Sequence, residues 1–197
     1  MIRWQVALKF FILVPILKIS FLGKRHKSMK ILTKFFFSAA LSASVIFAED
    51  VQALEAPTGP VILVVSGKLG NTNVGDEAHF DREMLKALPQ HETVTHTPWH
   101  DGEVSFVGPL GRDLLEAVGA EATNMHITAL NDYAVDVPVD DFMTYDVLLA
   151  MSANGRALRV RDQGPIFIIY PFDERPELRN DITVHRSVWQ VKRIDLK

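Results

Sequence analysis

At 197 residues the chain has room for one domain with a full core, and 24 acidic against 21 basic residues give a formal net charge of -3. It holds no cysteine, which excludes disulfides, thiolate nucleophiles and Cys-ligated metals. The charge is unevenly placed: residues 1–48 carry eight Lys or Arg and no Asp or Glu, so 13 basic residues face 24 acidic ones over 49–197, a net of -11 that disfavours nucleic acid or anionic lipid as a partner.

Met29 opens the segment MKILTKFFFSAALSASVIFA, with Lys30 and Lys34 as a charged start, an apolar run from Phe35 and small residues toward Ala48. This predicts a signal peptide over 29–48 and a periplasmic or secreted protein, although Ile46, three residues before the cut, is bulkier than usual. The competing reading is a short transmembrane anchor, for which the apolar stretch falls short of the roughly 20 residues a span needs. Residues 1–28 are apolar but broken by Lys9, Pro15 and Lys18. An intramembrane lysine costs about 2.5–3.5 kcal/mol near a helix centre. The segment is therefore expected to be an upstream extension, the alternative being an inner-membrane anchor with Lys24, Arg25 and Lys27 on the cytoplasmic side. Membrane contact is expected only through these N-terminal segments. Residues 49–60 form a polar linker with Pro57, Gly59 and Pro60, and the folded domain is expected over 61–197.

In the body, Val61–Val65 is an unbroken aliphatic run that predicts a buried strand, closed by Ser66-Gly67. The glycines of the following loop do not form a phosphate cradle, because Leu69 and Gly70 follow Gly67-Lys68 where the motif needs Ser or Thr directly before a helix. Phe80, Met84, Leu85 and Leu88 share one face at helical spacing, with Asp81 and Glu83 near the start, until Pro89. Glu92–Trp99 and Val104–Val107 predict strands around the Asp101-Gly102 turn. Leu110, Leu114, Leu115 and Val118 predict a second helix closed by Gly119. Met125–Leu130 and Val135–Val137 alternate as strands around Asn131-Asp132-Tyr133, and Asp140–Tyr145 is expected to form one helical turn. Val147–Met151 is a buried strand leading to the Asn154-Gly155 hairpin. The return strand is expected to put Leu158 and Val160 on one face and Arg159 and Arg161 on the other. Gly164-Pro165 breaks the chain before two last strands, Ile166–Tyr170 and Val188–Leu196. Many strands, two short helices and no regular β-α-β alternation predict an α+β domain.

Tyr133, Val137-Pro138-Val139, Asp146 to Ala150, Asn154 to Leu158, Gly164-Pro165 and Pro171 follow one another in an order that resembles the molybdopterin-binding domain of the sulfite-oxidase type. Trp99 with GPLGRDLL is similar to that family's helix entry, and RSVWQVKRIDL to its closing strand. The resemblance implies a single sulfite-oxidase-like domain, a mixed β-sheet with a few short helices, and molybdenum held by one cysteine thiolate. The segment expected to supply that thiolate, Val94 to Trp99, offers Thr95, His96 and Thr97 instead. Phe167 stands where the family's enzymes place a basic residue for the anionic cofactor, and Val188-Trp189-Gln190 lacks the lysine beside the tryptophan. Tyr133 falls where the family has an active-site tyrosine.

Candidate ligand-binding residues are therefore His96, Thr97, Trp99, Asn131, Asp132, Tyr133 and Arg161. Each has a plainer use: Asn131 and Asp132 as turn formers, Arg161 with Arg159 as solvated charges, Trp99 as core. His91, His96 and His100 are not spaced to converge on a metal, because Pro98 interrupts any helix and residues 91 and 96 face opposite sides of a strand. The pairs Asp140-Asp141 and Asp173-Glu174 look like solvated loops, and no nucleophile motif occurs. No catalytic residue and no metal ligand is expected. The predicted function is an exported pseudoenzyme, without molybdopterin, that binds a small molecule or a membrane sensor protein. The alternative is a molybdopterin-dependent oxidoreductase that keeps the cofactor without the thiolate.

Overall fold

The computed structural model describes residues 54–197. The expected signal peptide, its upstream extension and the first part of the linker lie outside the described residues. Eleven strands and four α-helices run in chain order: β1 (Val61–Gly67), β2 (Ala78–Asp81), α1 (Arg82–Ala87), β3 (Gln90–His96), β4 (Glu103–Pro109), α2 (Gly111–Ala117), β5 (Asn124–Ala129), β6 (Ala134–Pro138), α3 (Val139–Thr144), β7 (Leu148–Ala150), β8 (Ser152–Ala153), β9 (Arg156–Ala157), β10 (Phe167–Ile169), α4 (Asp181–Arg186) and β11 (Val191–Leu196). They form a five-stranded sheet in the order β2-β1-β11-β5-β6, a four-stranded sheet β3-β4-β8-β9 and a pair β10-β7. Among the described residues only β1 and β11 pair in parallel. The fold is α+β.

The β10-β7 pair explains two of the longest apolar runs of the body. Leu148 and Ala150 of β7, with Phe167 and Ile169 of β10, face one core cluster with Val104, Phe106, Leu110 and Leu158. Leu149 and Ile168 between them face the other, which lies against the five-stranded sheet. A strand pair buried on both faces has no solvent side, so its sequence shows no alternation. Trp99 touches both clusters.

Local signals set the helix ends. The Asp81 carboxylate accepts the Met84 N–H at 2.9 Å and caps α1. Its other oxygen takes the N–H groups of Thr58 and Gly59, each at 2.8 Å, so one carboxylate also ties down the chain ahead of β1. At the end of α2, Gly119 N–H donates to Glu116 O and Ala120 N–H to Leu115 O, the paired bonds of a Schellman ending. The Asn154-Gly155 turn joins β8 to β9, with φ of 47° and 72° at its two central residues.

Three expectations need correction. Phe80 is on β2, not on the helix, because Asp81 starts the helix after it; the strand hides in the sequence because it has four residues. The alternating return strand stops at Ala157. Val160–Asp162 is a 3-10 turn, and the chain doubles back so closely that a Cβ on Gly164 would meet the Leu158 carbonyl at 2.5 Å. A fourth helix, α4, follows a 3-10 turn at Pro176–Leu178. Its β-branched Ile182, Thr183 and Val184 conceal it, while Asn180, which accepts the Thr183 N–H at 3.1 Å, was the cap signal that could have announced it.

Candidate functional site

The end of β3, the β5–β6 turn, α4 and the residues leading into β11 enclose two neighbouring cavities. The first, about 290 Å³, is walled by Trp99, Tyr133 and Trp189, with Asn131, His185 and Ser187 as its polar groups. Among the described residues no Lys or Arg lines it. The second, about 310 Å³, lies between His96, Thr97, Phe172, Arg179 and Asp181. Val184 of α4 lines both, so that one short helix forms a shared wall.

The aromatic wall is built on the core. Trp99 meets Trp189 at 5.7 Å between ring centroids and 83°, and Phe167 at 5.3 Å and 60°. Phe167 is fully buried and also packs edge-on against Phe106. Tyr133 leans across from the β5–β6 turn, its hydroxyl donating to the carbonyl oxygen of His185 at 3.0 Å. Asn131 Oδ1 accepts the Tyr133 N–H at 3.1 Å, so Asn131 both makes its turn and lines the cavity.

The other candidates divide. His96 Nδ1 lies 2.8 Å from Asp173 Oδ2, and the same oxygen accepts the His96 backbone N–H at 3.0 Å. Arg179 pairs with the second oxygen of Asp173. The His96 imidazole, then its backbone N–H and Arg179, hold the Asp173 carboxyl below its usual range, against partial desolvation. The Thr97 hydroxyl is engaged by His100 Nδ1 at 2.8 Å. Asp132 points away, taking Lys192 Nζ at 2.6 Å, and Arg161 stands exposed in its 3-10 turn, 3.8 Å from Asp162; neither lines these two cavities.

His91, His96 and His100 turn to different partners, His96 to Asp173 as above. His91 lies 3.5 Å from Asp113, while His100 turns to Thr97. Ligating atoms of His96, Glu103 and Asp173 come within 4.8 Å of one another, but the Asp173 carboxylate already serves Arg179 and His96.

Two acidic residues expected in solvated loops are locked instead. Asp173 is one. Asp141 is the other: its Oδ2 accepts Tyr170 Oη and Arg186 Nη1, both at 2.8 Å. Tyr170 is fully buried, and burial first, then the adjacent Asp141 charge, pushes its hydroxyl pKa far up, so it stays a donor. The network ties α3, the residue after β10 and α4 together. Sequence reasoning missed Val184, His185, Ser187 and Trp189 as lining residues, and α4 with the segment after it supplies all four.

The family model of the oxidoreductase molybdopterin binding domain matches residues 71–172, more than half of the chain. The chain belongs to that family. A search of curated proteins finds no match.

The residues present do not fit a molybdopterin held by a thiolate. There is no sulfur ligand, and the His96 imidazole that stands in the expected segment is engaged by Asp173. Where the resemblance implies a cation for the anionic cofactor, the Phe167 ring is packed within an aromatic cluster. The aromatic cavity, at about 290 Å³, lies at the small end of ligand sites.

Proposed function

We propose that this is an exported, non-catalytic member of the family, a pseudoenzyme whose cleft takes a small organic ligand in place of molybdopterin. The observation that carries the reading is the Trp99–Phe167–Trp189 cluster, which puts aromatic surface where the cofactor's charge would need cations. A concave, mostly apolar cavity with a few polar groups is what a small-molecule site requires. Tyr133 and Asn131 supply those groups at one side, His185 and Ser187 at the other.

The competing reading, an oxidoreductase that retains the cofactor, is tested by elemental analysis and cofactor fluorescence on protein purified from its native host. The expected result is no molybdenum above background; one molybdenum per chain overturns the proposal. Export rests on the charged start at Lys30 and Lys34 and the apolar run that follows. N-terminal sequencing of the mature protein should begin near Glu49, and an intact Met29 would refute cleavage.

A further inference from the structure

We propose that the ligand of the aromatic cavity is a small organic cation, a quaternary or methylated ammonium about the size of choline. The inference rests on the reading of this cavity as a ligand site and goes on to the ligand's charge. Three aromatic side chains, Trp99, Tyr133 and Trp189, line a volume of about 290 Å³. The two indoles stand nearly perpendicular, at 83°, and make a corner. An ammonium near aromatic faces is attracted by their quadrupoles, most strongly for Trp, and the attraction grows as water is excluded.

The polar groups agree with that charge. Among the described residues no Lys or Arg lines the cavity to repel a cation or to hold an anion. Ser187 Oγ donates to Thr183 O at 3.0 Å, so its proton is already used and its lone pairs remain. His185 Nδ1 lies 2.6 Å from Asp181 O, so that nitrogen is engaged as a donor and Nε2 is the ring nitrogen left for a ligand. Asn131 Oδ1 is taken by the Tyr133 N–H, so its amide NH2 is the group left to meet a polar tail such as a hydroxyl or carboxylate. Beyond the cavity, residues 49–197 carry a net -11, and the field of such a body draws cations toward it and raises their encounter rate.

The test is calorimetric titration of the purified protein with choline, with tetramethylammonium, and with 3,3-dimethylbutan-1-ol, the neutral carbon isostere of choline. Choline is expected to bind about tenfold more tightly than the isostere. Tyr133→Leu and Trp189→Leu should each weaken choline by about tenfold while the isostere changes less, with melting curves confirming that both variants fold. Equal affinity for choline and the isostere overturns the cationic inference and leaves the ligand site standing. Failure of all three probes, together with no binding of neutral indole, overturns both. Binding of choline that survives both substitutions places it elsewhere and also overturns the inference.

Discussion

Tyr133 and His185, 52 residues apart, are joined by one hydrogen bond from a phenol hydroxyl to a backbone carbonyl, 3.0 Å long, which closes the rim of the aromatic cavity. The bond links the β5–β6 turn to α4 at the surface, where the tyrosine is 42% exposed. Tyr133→Phe keeps the ring and removes the link. Its expected cost is about 0.5–1.5 kcal/mol in chemical denaturation. Arg161→Ala, in the 3-10 turn outside both cavities, should change stability by no more than about 0.5 kcal/mol and leave ligand binding unaltered.

Phe167 gives a sharper test of the proposal that the cleft holds no molybdopterin. Introducing a cation there by Phe167→Lys would place an ammonium among Trp99, Phe106 and Trp189, with no carboxylate beside it in that cluster. The variant should lose several kcal/mol of stability. It should not gain molybdopterin, measured as molybdenum content. A stable, cofactor-loaded Phe167→Lys protein would show that a single side chain separates this cleft from a cofactor site.

Stability should fall on the acid side. The carboxyls of Glu77, Asp81 and Asp173 all sit below their ordinary values. The leading cause is the His79 hydrogen bond for Glu77, the Met84 N–H for Asp81 and the His96 imidazole for Asp173. A carboxyl with a depressed folded-state pKa contributes its full stability above the unfolded value and loses it as pH falls through the folded one. The urea midpoint should therefore hold through the carboxylate contribution down to about pH 4.5 and decline below it. Asp81→Asn should make that decline shallower, because one of the contributing groups no longer titrates.

Gly108 marks where β4 presses on β7. A Cβ there would lie 2.0 Å from the Leu149 carbonyl oxygen, a backbone atom that cannot rotate away. Gly108→Ala should cost about 1–3 kcal/mol or more as the strands are forced apart. Differential scanning calorimetry would show it as a large fall in Tm, and an unchanged Tm would mean that β4 and β7 are less closely packed than described.

The sequence carried the strands that alternate and the strands that are buried on both faces, since Val147–Met151 and Ile166–Tyr170 have no polar side to confuse them. It did not carry α4. Ile182, Thr183 and Val184 are individually strand formers, and the helix exists because Asn180 caps it and Arg186 pairs with Asp141 across the fold. Half of the aromatic cavity comes from that helix and the residues after it, so Tyr133, Trp99 and Asn131 could be named as lining residues and His185 and Trp189 could not. Asp141 was hidden for a similar reason. Nothing near it in the chain reveals a buried tyrosine 29 residues on and an arginine 45 residues on that share its oxygen.

The parallel pairing of β1 with β11 has a consequence for the timing of assembly. The strand that sits third of five in the sheet is the one the ribosome delivers after all the others. Until it emerges, β1 has only its hairpin partner β2 and β5 only β6, two fragments with raw edges and no middle. Closure of the sheet across so long a stretch of polypeptide is slow and comes late. A keystone laid last keeps the remainder of the sheet pliable until that one strand is in place.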